Sequence, residues 1–490
     1  MTPLAVILTV LGYIVVLFVV AWWSGRHTDN AGFFTGNRQT PWYLAAFAMI
    51  GAAMSGVTFI SVPGSVATFV DGKVVAADAF SYMQMVLGFT VGQIIVAYWL
   101  IPTFYRLKIV SLYEYLDERF GVVSHQTGAW FFFISKMLGA ALRIYVVCAV
   151  MQSLVFDHFQ LSFIINALLT MAFVWLYTCR GGVKSLIWTD TLKTVCLVGS
   201  LLLTILFIVQ NLNLDLEQTI DTVRQSPLSR IFFFDDASSG LYFWKKFLAG
   251  IVMLVAMTGL DQDMMQRNMS CRNTKDAQKN IVLTAISQIF VIFLFLVLGV
   301  LLYQYMEVKG LAMPQKSDQV FSLVAVNGDL PLMVGILFVV GLISSTYSSA
   351  GSALTALTTS FTIDILRPKN TTEAKLSKMR QRVHIAMALV MMFVILAFNY
   401  WANDSVINLV YKVASYTYGP ILGMFVFGMT SRRKIRDRMM PLIALAAPIL
   451  SAILQYVLNE YYHYEINFEL LIYNALITIA GMYLCSKKDE

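Results

Sequence analysis

Apolar runs of about 18 residues or more recur from one end of the chain to the other, and each can cross about 30 Å of hydrocarbon at about 1.5 Å per residue. In that medium a backbone must satisfy its own hydrogen bonds, and runs of this length do so as helices. Thirteen spans are predicted, at about 3–24, 42–69, 79–104, 126–153, 160–178, 187–210, 245–264, 280–305, 331–366, 383–400, 405–430, 439–459 and 466–485. Only 13% of the 490 residues are charged and 58% are hydrophobic, a balance that leaves a water-soluble domain without a polar surface. The fold class expected is therefore an all-α polytopic membrane protein. Span 1 lacks a basic leader and is followed by WWSGRH rather than a small-residue cleavage site, so it reads as a true span and not a signal peptide.

The basic residues give an orientation. With the N-terminus outside, the segments assigned to the cytoplasm carry 24 of the 35 Lys and Arg, in groups such as Arg267–Lys279, Arg367–Arg382 and Arg432–Arg438. The outer segments carry seven, and Lys136, Arg143, Lys193 and Lys412 fall inside spans. The net charge of +7 thus belongs to cytoplasmic loops and implies no nucleic-acid partner. The five cysteines (148, 179, 196, 271, 485) have no metal-ligand spacing, and the five histidines are scattered. No nucleophile–base or metal constellation supports an enzyme, and no pore-lining ring supports a channel. The outer loops at 211–244 and 306–330 are too short to fold alone, RPKNTTEAKLSKMRQR (367–382) reads as a surface helix or linker, and no obligate protein partner is evident.

Two spans are interrupted. The second reads AMIGAAMSGVTFISVPGS, with Gly51, Gly56, Pro63 and Gly64 inside an apolar run, and the seventh reads VMLVAMTGLDQDMMQR, where Gly259 precedes Asp261, Gln262 and Asp263. Helix breakers at membrane depth are tolerated where the freed backbone is buried in protein or lines a cavity. Interrupted helices in matching positions of two halves point to a transporter with inverted repeats and a midplane site. The expected core is two inverted five-helix repeats, spans 2–6 and 7–11, with broken first and sixth core helices. The corresponding division is an extra helix at 1–25, repeats at 26–210 and 211–435, and C-terminal helices at 436–490.

The ninth span adds a second anomaly. In ISSTYSSAGSALTALTTSFTID (343–364), eleven of twenty-two residues are Ser or Thr, and Ser345, Ser348, Ser349 and Ser352 fall at i, i+3, i+4 and i+7 on one face. Small hydroxyl residues let helices pack closely and can bond back to the i−4 carbonyl. Alternatively, four hydroxyls opposite a broken helix provide neutral oxygens for a hard cation such as sodium, with carbonyls of the unwound backbone completing the shell.

Five segments in order resemble the solute:sodium symporter family, the sodium–glucose cotransporter relatives, in a bacterial-type form. They are AGFFTGNRQTPWYLAAFAMIGAAMSGVTFISVP, SLYEYLDERFG (111–121), CRGGVKSLIWTD (179–190), DQDMMQRNMSC (261–271) and TYGPILGMFVFG (417–428), and the resemblance runs from about residue 20 to 435. It implies sodium as coupling ion, no other cofactor, and a sodium site matching Gly51, Met54, Ser345, Ser348 and Ser349. A possible second sodium would use Asp190 and Ser352, with Gly351 where the family carries a hydroxyl.

The resemblance also places substrate between the broken helices and their neighbours, which makes Ser55, Thr58, Gln84, Asp261 and Gln262 candidate lining residues. Arg143, near the middle of span 4, is either paired with Asp261 or Asp78 or is a counter-charge for an anionic substrate. Lys136 is expected to snorkel towards the cytoplasmic interface. The carboxylate of Asp190 is expected either at an ion or paired with Lys184. The function implied is sodium-coupled import of a small polar organic solute, a sugar, polyol or carboxylated solute, by alternating access across the plasma (inner) membrane. Its alternatives are a proton-coupled permease of the same fold, titrating at Asp190 or Asp261, and a non-transporting membrane sensor.

Overall fold

The structure, a computed structural model, describes residues 3–25, 32–33, 36–70, 73–107, 111–179, 182–312, 314, 317–327, 330–367, 372–401 and 406–487. Residues 31, 34–35, 180–181, 368–371 and 405, which fall within the motifs and spans above, lie outside the described residues, as do Arg26, Lys108, Lys316 and Lys488.

The chain is a helical bundle. In order, its principal helices are α1 (Pro3–Ser24), α2 (Trp42–Ala53), α3 (Gly56–Gly64), α4 (Tyr82–Leu107), α5 (Val122–Phe159), α6 (Phe163–Thr178) and α7 (Gly182–Asn211). They continue as α8 (Phe243–Gly259), α9 (Gln262–Met269), α10 (Thr274–Lys309), α11 (Leu332–Ile365), α12 (Glu373–Trp401), α13 (Val406–Thr430), α14 (Met440–Tyr462) and α15 (Leu470–Leu484). Among the described residues eight helices are long and apolar enough to cross a membrane, and ten if α2/α3 and α8/α9 each count as one bent span. Among the described residues the strands form one small hairpin, Ala67–Val70 with Lys73–Ala76, and one short antiparallel pair between distant segments, Lys434–Ile435 with Ser486–Lys487. The expected span 42–69 is therefore too long. Its helix stops at Gly64, and the β-branched run that follows pairs as a strand.

Both expected interruptions are present, bent by 56° and 68°. The first falls at Met54 and Ser55, which are extended, with φ/ψ of −100/121 and −101/170. Ser55 then caps α3 reciprocally: its Oγ accepts from the Thr58 N–H at 3.3 Å, and Thr58 Oγ1 accepts from the Ser55 N–H at 3.3 Å. Pro63 lies inside α3 near its end and takes no part in the bend. The second break falls at Leu260–Asp261, where Asp261 Oδ1 caps α9 by accepting from the N–H groups of Asp263 (2.9 Å) and Met264 (3.2 Å). Around these breaks α7 packs on α2 and α11, and α5 packs on α11 and α13. The outer helices α1 and α14 turn Leu, Val and Ile outward, as lipid-facing helices do.

Candidate functional site

The hydroxyls of α11 sort into two classes. Ser344, Ser345, Thr346, Thr355, Thr358 and Thr359 each donate to a carbonyl three or four residues back in the same helix, at 2.7 to 3.0 Å. This hides their polarity inside the helix, apart from Thr358, whose Oγ1 also lies 2.8 Å from His384 Nδ1 of α12. Ser348 and Ser349 instead face charges on other helices, and Ser352 does both, since its Oγ also donates to the Ser349 carbonyl at 3.0 Å. Ser348 Oγ donates to Asp190 Oδ1 of α7, Ser349 Oγ accepts from Lys193 Nζ at 2.8 Å, and Ser352 Oγ lies 3.3 Å from Asp263 Oδ2 of α9.

Those charges form one buried network. Arg267 Nε donates to Asp190 Oδ2 at 2.7 Å, and its Nη1 reaches the Asp263 side chain and, at 2.9 Å, the Asp263 carbonyl. Lys136 Nζ stands 2.8 Å from Asp263 Oδ2 and 3.1 Å from both oxygens of Asp261. Tyr418 on α13 donates to Asp261 Oδ2. The network thus ties α5, α7, α9, α11 and α13 together, and every charged member is at most 6% exposed. In so enclosed a place each carboxylate needs a partner, and each has one.

Above the network a cavity opens between the two breaks. It is lined by Ser55, Thr58, Arg143 and Asp261 of the expected set, together with Gln93, Lys136, Thr258, Asp263, Gln288, Ser349 and Tyr418. Two expected lining residues are elsewhere. Gln84 is buried near the start of α4, where its amide donates to the Leu241 carbonyl at 3.0 Å and accepts from the Phe233 N–H at 3.2 Å. Gln262 faces away from the cavity and accepts from the Leu112 N–H at 2.9 Å. Both bind loop backbone. Gln93 and Gln288, joined at 2.7 Å between α4 and α10, supply cavity-facing amides instead, and no spacing in the sequence distinguished them.

Other pairings also differ from expectation. Lys136 does not snorkel: it is 6% exposed and held by two carboxylates. Asp190 pairs with Arg267 rather than Lys184. Asp261 is taken by Lys136 and Tyr418, and Asp78 lies 4.0 Å from Lys246, so neither expected partner serves Arg143. Among the described residues Arg143 makes no hydrogen bond or ion pair, and it lines the cavity half-buried.

At the first break, Met54 N–H donates to the Gly51 carbonyl at 3.2 Å, and Gly51 abuts α7 so closely that a Cβ would strike the Asp190 carbonyl and the Thr194 side chain. Gly351 has a similar cause, since a Cβ there would collide with the hydroxyl of Tyr177, which donates to the Tyr347 carbonyl. A tyrosine oxygen thus fills the space that a hydroxyl side chain at 351 would use.

The remaining motif residues brace the second break. The buried Tyr113 donates to the Leu260 carbonyl at 3.1 Å, and Arg119 donates to the carbonyls of Gly428 (3.2 Å), Ser431 (2.7 Å) and Arg433 (3.0 Å) at the end of α13. SLYEYLDERFG therefore ties the broken backbone of α8/α9 to the TYGP helix.

Three comparisons bear on this arrangement. A model of the sodium:solute symporter family matches residues 33–438. The human sodium/iodide cotransporter is 23% identical over 415 residues, which are 83% of this chain and 62% of the cotransporter. The sodium/sialic acid symporter SiaT of Proteus mirabilis (strain HI4320) is 21% identical over 367 residues, 72% of this chain and 69% of SiaT. This chain therefore spans less than two thirds of the length of some of the relatives that it matches. A solved substrate-bound, outward-open Na+-coupled sialic acid symporter superposes with a TM-score of 0.81 at 18% identity, covering 99% of both chains, and so shares the fold.

Proposed function

The chain belongs to the sodium:solute symporter family, and on that premise we propose that it is a sodium-coupled symporter that imports a small carboxylated solute by alternating access. The observation that carries this reading is a charge-free break in α2/α3 that packs on α11 at Ser345 and Thr346, where Gly56 abuts both, one turn before the hydroxyl pair Ser348/Ser349, and that shares the cavity wall with Ser349. Sodium is a hard cation that takes neutral oxygens, and two hydroxyls plus carbonyls of Gly51, Met54 and Ser345 would supply them. Each sodium moving inward gains about 2.3 kcal/mol per 100 mV from the membrane potential. We assign one sodium, because Arg267 and Ser348 already engage Asp190, and Gly351 offers no side-chain oxygen.

The carboxylated substrate follows from charge. Lys136, Lys193 and Arg267 balance Asp190, Asp261 and Asp263, which leaves Arg143 as the surplus cation on the cavity wall. A bidentate guanidinium is well suited to a carboxylate. The iodide and sialic acid named for the two relatives are both anions, which accords with this reading. The proposed frame is thirteen spans, two inverted repeats (26–210 and 211–435) flanked by 1–25 and 436–490, in the plasma membrane with the N-terminus outside and the C-terminus cytoplasmic. The basic-residue distribution supports that orientation.

The test is uptake by reconstituted vesicles of labelled sialic acid, monocarboxylates, sugars and inositols, with and without an inward sodium gradient. The expected result is sodium-dependent uptake of a carboxylated solute, abolished in Ser348→Ala/Ser349→Ala. Sodium-independent uptake would favour the second reading, a proton-coupled permease of the same fold, for which the engagement of Ser349 by Lys193 is the specific observation.

A further inference from the structure

Among the described residues, Lys193 is the one intramembrane cation that touches a proposed sodium ligand. It lies on α7, is 0% exposed, and its Nζ donates to Ser349 Oγ at 2.8 Å. An ammonium carries three donors. Among the described residues the other two have no hydrogen-bond partner, and Lys193 forms no ion pair. The surrounding charges are divided: Asp190 and Asp263 attract it, while Arg267 and Arg143 repel it. Lys136 is the contrast, clamped between two carboxylates in the same network. Lys193 is therefore anchored to one neutral oxygen, and that oxygen is half of the Ser348/Ser349 pair. It also sits one turn after Asp190 on α7, the helix that abuts Gly51 at the break.

We propose that Lys193 is a tethered competitor of sodium at the hydroxyl site: its ammonium holds Ser349 when sodium is absent, and sodium binds by displacing it. The proposal rests on the sodium-site assignment above and adds to it the group that sets the ion's affinity. A hydroxyl oxygen that accepts from an ammonium has its lone pairs turned to that charge. Two unit cations about 4 Å apart repel each other strongly even at an effective dielectric constant of about 20. Sodium and the Lys193 ammonium therefore cannot share Ser349. On a flexible four-carbon stem the ammonium can swing towards Asp190 or Asp263 once sodium takes the hydroxyls. Such a competitor weakens sodium binding by the cost of that displacement, so that the site fills at high outer sodium and empties readily at low inner sodium.

Sodium binding to the full chain in detergent tests this without a substrate. Sodium chloride is titrated against choline chloride at constant ionic strength, with the melting temperature and the heat of binding as readouts. The wild type is compared with Lys193→Gln and with Lys193→Met, which keeps the stem and removes the charge. The proposal expects both variants to half-saturate at a sodium concentration at least about tenfold lower than the wild type. A sodium response in the variants with none in the wild type would also support the competition, and would itself overturn sodium coupling for the wild-type chain. A wild-type response whose midpoint is unchanged or rises in the variants would overturn the proposal and leave the sodium site standing. No response in any of the proteins would overturn both.

Discussion

Between α2 and α3 the chain bends at Met54–Ser55 without a charged side chain, whereas between α8 and α9 it bends at Leu260–Asp261 with Asp261, Asp263 and Arg267 close by. The first break satisfies its backbone with neutral groups, the hydroxyls of Ser55 and Thr58 and the Gly51 carbonyl. The second uses a carboxylate as its cap, and that carboxylate then needs Lys136 and Tyr418. The two breaks thus have different electrostatic duties. A neutral break can present carbonyl oxygens to a mobile cation because no charged side chain on it competes. A charged break locks α5, α7, α9, α11 and α13 to one another, because a buried carboxylate that loses its partner is costly.

The sharpest way to break the comparison is Arg267→Met, which leaves Asp190 and Asp263 short of a partner. It should cost about 3–5 kcal/mol, read as a large fall in melting temperature in detergent. Adding Asp190→Asn should recover part of the loss, and a neutral result for Arg267→Met would mean that the second break is not held by its charges. Arg143 is the control cation, being unpaired among the described residues. Arg143→Gln should leave the melting temperature almost unchanged while raising KM for a carboxylated solute by about 10- to 100-fold, the range of a lost charge-assisted hydrogen bond. If KM is unchanged, the surplus cation does not meet the substrate.

At the neutral break, Ser55→Ala removes a helix cap and should cost about 1 kcal/mol, visible as a small fall in melting temperature and far below the effect at Arg267. The mildest test uses Cys271, just beyond α9, whose thiol burial pushes up to about 12. At pH 7–8 its thiolate fraction is minute, so a maleimide should leave it untouched. Labelling that appears only when sodium and substrate are both present would report opening at the end of the second break, which is the end we assign to the cytoplasm.

Much of this was readable from the chain. Glycine and polar residues inside apolar runs marked both bends, and Gly259 sits just before the second one. Pro63 was a weaker guide, because it lies near the C-terminal end of α3, about two turns beyond the bend at Met54–Ser55. The hydroxyl face of α11 was visible as a spacing, but the spacing could not separate Ser345, which bonds within its helix, from Ser348 and Ser349, which face Asp190 and Lys193. Gln84 and Gln262 looked like lining residues because they are polar and intramembrane, yet each satisfies loop backbone instead. Lys136 looked like an interface residue because the carboxylates that hold it are more than a hundred positions away.

By itself the sequence determined that the chain crosses a membrane repeatedly as helices, and where two of those helices break. These follow from transfer free energy and backbone hydrogen bonding, which act residue by residue and within a turn. The tertiary structure alone decided which cation meets which carboxylate, that Arg143 stays unpaired among the described residues, and that Lys193 lies on Ser349. Ion pairs and hydrogen bonds act over about 3–4 Å. No pattern along one helix specifies which residue of a distant helix will come that close.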